Sequence, residues 1–240
     1  HTHTLASGHA YSTLQEMVAA AVSKGIEVLG ITEHGPSIPD TCGQLHFKNM
    51  IVIPREIQGV KLLLGAELNI LDTCGTIDGD EKMWSWLDLR IAGIHSVCWT
   101  GGTRQENTRG MIAAINNPLI HIISHPGDGT ADMDFEAVVE AAAGAHTLLE
   151  INSHSLHPAR HKLTARDNNL ELLRLHKRMN VPVILGSDAH ISYQVGCYDN
   201  VLPLLREVDF PERLIMNTRP RELFEYIGLI DLPQLACYRN

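Results

Sequence analysis

The sequence lacks the cysteine pattern of a disulfide-stapled protein or a zinc finger. Its 240 residues contain five cysteines, an odd number, and no two of them form a C-x-x-C pair. Cysteines spaced this widely argue against a disulfide framework and a thiolate zinc site, and they fit a reducing cytoplasm. The five are Cys42, Cys74, Cys98, Cys197 and Cys237.

Long apolar runs and positive charge are also scarce. The longest apolar runs, such as residues 62–66 and 181–185, are far shorter than the ~20 residues of a membrane helix, and no signal peptide is visible. The chain has 28 acidic and 19 basic residues, and its net charge is −9. Binding to nucleic acid or anionic lipid would need clustered Lys and Arg. We therefore expect no membrane association and no general nucleic-acid surface.

What remains is an ordinary globular composition with one excess. Hydrophobic residues make up 44% of the chain and charged residues 20%, which excludes a disordered or fibrous protein. The length predicts one large α/β domain over residues 1–240, which would bury about three-quarters of the surface of the unfolded chain. The excess is in histidine, with 14 residues, many of which follow short apolar runs.

Short apolar runs alternate with amphipathic segments along the chain, which predicts strands alternating with helices. The predicted strands are 28–32, 62–66, 89–94, 119–124, 147–151 and 181–186, with a short one at 214–216. The predicted helices are 13–24, capped by Ser12, then 109–115, 135–143, 170–179 and 221–227. Such alternation is typical of a parallel sheet with right-handed crossovers.

Two stretches interrupt this alternation. Residues 35–60 contain three prolines and Gly43, and they predict an irregular surface excursion of the kind that often acts as a lid. At the other stretch, His1-Thr-His3, a strand would ordinarily lead into the motif. We therefore expect a few residues of a first strand to precede His1.

Histidine and carboxylate side chains recur where predicted strands end. His1 and His3 are two residues apart, so an extended backbone projects both to one face, where they can share a cation. From His34 onward every further candidate comes just past a predicted strand. A closed barrel brings such ends to one face, whereas an open sheet spreads them along a crevice, so we predict a barrel of about seven or eight strands. The nine candidate metal ligands are His1, His3, His9, His34, Glu67, His95, His125, Asp188 and His190.

Imidazole and carboxylate donors without a thiolate suit Zn²⁺, Mn²⁺ or Fe²⁺. Taken singly, each residue has an ordinary alternative, because a lone histidine is more often hydrogen-bonded than a ligand, and Glu67 or Asp188 could cap a helix. Their joint placement favours a metal site. Nine ligands are too many for one ion and sufficient for three. Five other histidines lack this placement and are interpreted as structural: His46, His121, His146, His157 and His176.

The motifs resemble those of the PHP (polymerase and histidinol phosphatase) family, and in particular its probable phosphatases. They are His1-Thr-His3, Ser7-Gly8-His9, Ile31-Thr-Glu33-His34, Gly65-Ala66-Glu67, Gly93-Ile-His95, Ser124-His125-Pro126-Gly127 and Gly186-Ser-Asp188-Ala-His190. The resemblance implies a distorted (β/α)7 barrel, three metal ions that are usually zinc, and an assembly that can be a homotrimer.

The same resemblance implies how the ligands divide among three ions. It places His1, His3, Glu67 and Asp188 on the first ion. It places Glu67, His95 and His125 on the second, and His9, His34 and His190 on the third.

Charge counting, independent of the family, indicates an anionic substrate. Three divalent ions bring six positive charges and the candidate ligands supply two carboxylates, which leaves about four to be met by hydroxide and substrate. A small phosphate ester fits, with hydroxide shared between ions as the nucleophile, and inorganic phosphate or sulfate should inhibit. No side-chain nucleophile is indicated, because the sequence has neither a G-x-S-x-G motif nor a P-loop.

Residues after the strand at 147–151 are candidates for contacts with the substrate, because that strand supplies no ligand. They are Asn152, His154, Arg160 and Lys162, of which His154 and Arg160 are retained, although an ordinary solvated basic loop explains them equally well. Two other functions stay open: a binuclear amidohydrolase-type enzyme, and a non-catalytic zinc-binding module. Metal stoichiometry separates the first alternative from a trinuclear phosphatase.

Overall fold

The computed structural model describes residues 1–239 and contains one sheet of seven strands. The strands are β1 (Val28–His34), β2 (Glu56–Ile57), β3 (Val60–Asn69), β4 (Leu89–Gly93), β5 (Ile122–Ile123), β6 (Leu148–Asn152) and β7 (Val183–Gly186). Six of them run parallel in the order β1-β3-β4-β5-β6-β7, and the short β2 pairs antiparallel with β3. This confirms the predicted α/β fold of TIM-like type.

Residues 1–3 lie between β1 and β7, the first and last strands of the parallel series. The Thr2 carbonyl accepts a hydrogen bond from the Thr32 amide of β1 at 2.9 Å, and the His3 amide donates to the Ala189 carbonyl just after β7 at 2.9 Å. Thr2 also forms a parallel bridge with Ala189. The first motif of the chain therefore occupies a strand position and curls the sheet towards closure, which brings the carboxyl ends of β1 and β7 together.

Helices are interspersed with the strands, and most of them pack on the outer face of the sheet. They are α1 (Leu14–Ser23), α2 (Gln44–Asn49), α3 (Glu81–Trp84), α4 (Arg104–Ile115), α5 (Phe135–Ala145), α6 (Ala165–Met179), α7 (Leu202–Glu207) and α8 (Pro220–Tyr226). Within residues 1–239, no helix is long and apolar enough to cross a membrane.

Several predicted boundaries are wrong for local reasons. The N-cap of α1 is Thr13, which shares a capping box with Glu16, whereas Ser12 accepts a hydrogen bond from the Ser192 amide. Helix α4 begins earlier than predicted because Thr103 forms a second capping box, with Glu106. Strand β7 begins at residue 183, because the Val181 amide donates its hydrogen bond to the His176 carbonyl and Pro182 has no amide hydrogen to donate.

Two segments differ more strongly from prediction. Residues 35–60 contain α2, a 3-10 helix at Met50–Val52 and β2, so they are not wholly irregular. The strand predicted at 214–216 is absent from the described residues. Its place is taken by the 3-10 helices Glu212–Leu214 and Met216–Thr218, and between them only Ile215 bridges β7, through Val183.

Alternation along the strands separates two layers of the molecule. In β3, Leu62 and Leu64 join the main core with the helices, whereas Leu63 joins a second apolar cluster with Leu148 and Phe224. Since side chains two residues apart share a face, Glu67 lies on the same face as Leu63. The barrel interior is thus apolar near the starts of the strands and polar near their carboxyl ends.

Candidate metal centre

The nine candidate ligands converge at the carboxyl ends of the strands. His34 is the last residue of β1, and His95, His125 and Asp188 each come two residues after β4, β5 and β7 respectively. The prediction that Glu67 follows a strand is wrong. Strand β3 continues to Asn69, so Glu67 lies within it and pairs with His34 of β1. The longer strand keeps the Glu67 carboxylate on the interior face, where it is fully buried.

Glu67 lies at the centre of this cluster. Its Oε1 is 2.8 Å from His125 Nε2 and 3.3 Å from His95 Nε2. Its Oε2 is 3.0 Å from His34 Nδ1, 3.3 Å from His1 Nε2 and 3.4 Å from His3 Nε2. One carboxylate therefore faces five imidazoles from four different parts of the chain.

The first candidate site has the dimensions of a tetrahedral metal site. His1 Nε2 and His3 Nε2 are 3.1 Å apart, and they lie 3.5 and 3.3 Å from Asp188 Oδ1. Together with the distances of 3.3 and 3.4 Å to Glu67, these separations match the ~3.3 Å between ligands around a tetrahedral ion with bonds of about 2.0–2.1 Å. His1, His3 and Asp188 each offer one donor atom, and these three atoms all lie within 4.8 Å of one another.

The other candidates gather on either side of that site. On one side, the His95 and His125 rings face Glu67 Oε1 with their centroids 5.0 Å apart. On the other, His9 Nε2 is 3.2 Å from His34 Nε2, and the His9 ring lies 5.0 Å from that of His190. His3, His34 and His190 form a further group with donor atoms within 4.8 Å.

The contacts around Glu67 are close without being hydrogen bonds. Both oxygens of Glu67, Nδ1 of His34 and both ring nitrogens of His95 are buried and have no hydrogen-bond partner within residues 1–239. Leaving buried polar atoms unpaired is costly. Divalent cations between these groups would bind the Glu67 oxygens and the one free lone pair of each neutral imidazole, so the side chains fit divalent metal ions.

The electrostatics also favour a cation between these groups. Burial alone would lower the pKa of His1, but the carboxylates of Glu150, Glu67 and Asp188 raise it well above its usual range. Burial likewise opposes charge on His125, yet Glu67 raises its pKa to about 9. For His3, burial and the neighbouring His34 lower the pKa well below the usual value. A metal ion replaces the protons that the carboxylates otherwise attract, because imidazole binds metal only in its neutral form.

Two candidate ligands have strained backbones. The φ angles of His125 and Asp188 are +32° and +48°, in the left-handed region that non-glycine residues rarely adopt. Strain of this kind clusters at functional sites and persists only where surrounding contacts hold it.

Buried carboxylates behind the ligands were missed by the sequence reasoning. Glu33 accepts hydrogen bonds from the Thr4 and Ser7 hydroxyls, each at 2.6 Å, and Ser7 Oγ lies 3.1 Å from His3 Nδ1. Asp128 Oδ2 is 3.7 Å from His125 Nδ1 and pairs with Lys162. The available signal was acidic residues inside or just after apolar strands. Glu150, in β6, is the third of these carboxylates.

The candidate substrate contacts divide into two pairs. Asn152 is buried, accepts from the Ser155 amide and donates to Glu150, and Lys162 is paired with Asp128, so neither is free as predicted. His154 is partly buried and stacks on His190 with ring centroids 5.2 Å apart, and its Nε2 has no partner in the described part of the chain. Burial lowers the pKa of His154 to about 4, so its imidazole is neutral near pH 7. Arg160 is exposed on the same loop.

Comparisons with known proteins agree with the motifs. A family model described as the PHP domain matches residues 1–207. The chain is 42% identical over 229 residues to a probable phosphatase of Caldicellulosiruptor saccharolyticus, with 95% of each protein covered. It is 41% identical over 239 residues to the probable phosphatase YcdX of Escherichia coli, covering 98% of this chain and 97% of the relative.

Solved structures share the fold at lower sequence identity. Histidinol phosphate phosphatase from Lactococcus lactis, complexed with zinc, L-histidinol and phosphate, matches with a TM-score of 0.58 and 18% identity, over 88% of this chain and 93% of that one. A chain in the structure of archaeal ribonuclease P with mature tRNA matches with a TM-score of 0.57 and 16% identity, over 96% of this chain and 91% of that one. At these identities the matches show a common fold only.

Proposed function

The chain belongs to the PHP family of phosphatases, and we propose that it hydrolyses a small phosphate ester at a site of three divalent metal ions. The observation that carries the proposal is the set of donor atoms from His1, His3, Glu67 and Asp188, spaced 3.1–3.5 Å apart as a tetrahedral ion requires. These four residues would hold the first ion.

Glu67 would bridge to a second ion through its other oxygen, together with His95 and His125. A third ion would be held by His9, His34 and His190, supported by the 3.2 Å separation of the His9 and His34 nitrogens. Zinc suits this donor set, as do Mn²⁺ and Fe²⁺. Zinc is also the metal in the Lactococcus phosphatase of the same fold.

When bound, such ions lower the pKa of water so that hydroxide can attack, and they stabilise negative charge on the phosphoryl group. The protein contributes the geometry of the metal ligands and two residues that could contact the substrate. His154 would donate or accept one hydrogen bond through its unpartnered Nε2. Arg160, exposed on the same loop, would attract the anionic substrate.

The charge balance supports an anionic substrate with a smaller excess than the sequence alone indicates. Six metal charges and the two carboxylates of Glu67 and Asp188 leave about four, but Glu33 and Glu150 stand directly behind the ligands and reduce that excess. Asp128 is compensated by Lys162. The hydroxide nucleophile and an anionic phosphate ester together meet the remaining demand.

The family match favours a phosphatase over the amidohydrolase alternative, and no observation favours a non-catalytic zinc module. Small phosphorylated metabolites are the proposed substrates, and inorganic phosphate or sulfate the proposed inhibitors. The homotrimer implied by the family resemblance remains a prediction.

Metal counting and kinetics test the proposal together. Protein reconstituted with zinc or manganese should contain about three ions per chain by elemental analysis, and it should hydrolyse p-nitrophenyl phosphate. Inorganic phosphate should inhibit competitively, and chelator-treated protein should be inactive until metal is restored. About two ions per chain, with turnover of a neutral amide or lactone that millimolar phosphate leaves unaffected, would establish the amidohydrolase alternative instead.

A further inference from the structure

Glu150 is a buried carboxylate that belongs to none of the three proposed metal sites. It lies in β6 between Leu148 and Asn152 on the interior face of the barrel, and 1% of it is exposed to solvent. Glu150 belongs to no group of side chains that lie close enough to hold an ion within residues 1–239. A carboxylate in such a place is costly unless its oxygens receive hydrogen bonds.

Both oxygens of Glu150 accept hydrogen bonds, and the donors come from three different parts of the chain. Oε1 lies 2.8 Å from His1 Nδ1. Oε2 accepts from the backbone amide of His125 at 2.8 Å and from the Asn152 side chain at 2.9 Å. Two of the donors are therefore candidate ligands themselves, and they belong to different proposed metal sites.

The contact with His1 determines which nitrogen of that ring can bind metal. A neutral imidazole carries one proton, and the carboxylate attracts it to Nδ1. This leaves the lone pair on Nε2, the atom that lies 3.3 Å from Glu67 and 3.5 Å from Asp188. Glu150 thus fixes both the tautomer of His1 and the direction of its ring.

The other contacts hold the two strained ligands. His125 has a φ angle of +32°, and its amide is held by Glu150 Oε2. Asn152 donates both to Glu150 and, at 3.3 Å, to Oδ2 of Asp188, whose φ angle is +48°. One carboxylate therefore supports residues on both sides of the bridging Glu67.

A glycine on the neighbouring strand makes room for this side chain. Gly186 of β7 pairs in register with Asn152. A Cβ atom at position 186 would lie 1.5 Å from Oε1 of Glu150, so alanine cannot be accommodated while Glu150 keeps its place. Because Gly186 is not in the left-handed region, the need for glycine comes from the carboxylate rather than from the backbone.

We infer that Glu150 is a positioning residue that sets the affinity of the first two metal sites without ligating either ion. The inference rests on the proposed function, since it assumes that His1 and His125 bind metal. Removing the negative charge should free the His1 ring to take the other tautomer and should loosen His125 and Asp188. Partners of this kind are typically worth about 10–100-fold in metal affinity.

Metal competition measures this effect directly. Zinc affinity should be measured against a chromogenic chelator for the wild type, for Glu150→Gln, and for the matched control Glu140→Gln, which changes an exposed glutamate of α5. Glu150→Gln should bind the first two ions at least tenfold more weakly, with metal-free unfolding midpoints similar to those of wild type. Glu140→Gln should match wild type in both measurements.

The outcomes separate the inference from the proposed function. Wild-type protein that binds no zinc would overturn both. Wild-type protein that binds three ions, with Glu150→Gln within twofold of its affinity, would overturn the inference alone. An affinity loss matched by an equal loss of metal-free stability would also overturn it, because that result indicates a general structural role.

A measurement on the wild type keeps the inference testable if the variant fails to fold. In zinc-loaded protein, long-range ¹H–¹⁵N spectra of the histidine rings should show His1 with its proton on Nδ1. A proton on Nε2 would overturn the positioning role of Glu150.

Discussion

The protein contains two kinds of buried histidine, and they differ in what their nitrogens face. At the carboxyl ends of the strands, His34 and His95 have buried nitrogens without hydrogen-bond partners in the described chain, and they face Glu67 and other imidazoles. Elsewhere, His121 Nδ1 accepts from the Arg90 amide at 3.0 Å, and His176 Nδ1 lies 3.2 Å from the Val181 carbonyl. The Nε2 of His176 is also buried without a partner in the described chain, but it does not converge with other such atoms on a carboxylate. Burial is common to both kinds. Convergence of unpartnered atoms from several strands distinguishes the candidate metal centre.

The same contrast appears in how burial affects the two kinds of site. For His121, burial and the nearby Arg90 lower the pKa to about 3, and for His176 burial lowers the pKa to about 4. These rings are neutral and structural. At the metal centre, carboxylates oppose the effect of burial and raise the pKa values of His1 and His125. Buried carboxylates beside His1 and His125 are thus what the two structural histidines lack, whereas burial and neighbouring imidazoles lower the pKa values of His3, His9 and His190.

The largest expected effect comes from removing the centre of convergence. Glu67→Gln keeps the shape of the side chain but replaces the carboxylate that is proposed to bridge two ions by a far weaker donor, so bound metal and phosphatase activity should fall together. Mutation of residues that only contact metal ligands typically lowers metal affinity or activity by about 10–100-fold. For Glu67, a direct ligand in the proposed site, we expect activity to fall by more than about 100-fold. Elemental analysis and p-nitrophenyl phosphate hydrolysis measure both. Full metal content and activity would remove Glu67 from the bridging role, with Glu140→Gln as the control.

A structural histidine should affect acid stability instead. The folded-state pKa of His121 is about 3, below the usual 6.5, so unfolded chains take up a proton at a pH where folded ones do not. Stability should therefore fall as pH decreases from about 6.5 towards 3. Because pH 5 is about 1.5 units below the usual histidine pKa, the free energy of unfolding should fall by ~2 kcal/mol at that pH. Urea unfolding of wild type and His121→Asn at pH 7 and pH 5 should show the smaller decrease in the variant.

The control for that measurement is His161→Asn, which changes an exposed histidine with a φ angle of +52° that Asn tolerates. It should decrease in stability between the two pH values as wild type does. If His121→Asn also decreased as much as wild type, His121 would not titrate differently in the folded and unfolded chain, and the contrast between the two kinds of histidine would lose its electrostatic basis.

The smallest effect is expected at His154, which lies between the two kinds. It is partly buried and has an unpartnered Nε2, but it stacks on His190 rather than facing Glu67. As a substrate contact, His154→Ala should raise KM about tenfold with metal content unchanged, because one hydrogen bond to a charged group is lost. Loss of one ion per chain would instead place His154 among the ligands. An unchanged KM with unchanged metal content would leave it structural.

Much of the fold was predictable from residues that act locally. Strands β1, β3, β4, β6 and β7 correspond to predicted apolar runs, because short runs buried on both faces have few alternatives to a parallel strand. Local competition caused the errors. A capping box at Thr13 displaced the predicted cap at Ser12, and residues 214–216 form only one bridge, at Ile215.

The spacing of His1 and His3 and the positions after strands follow from the sequence alone, since side chains two residues apart share a face and parallel strands end at one edge. The sequence therefore determined which nine side chains can meet. It could not determine how far apart they lie, because pairing register and sheet curvature depend on contacts across the whole chain, from Thr2 to Ala189. Only the tertiary structure decided that Glu67 faces five imidazoles and that Glu150, whose side chain lies against Gly186, contacts two of the candidate ligands, His1 and His125.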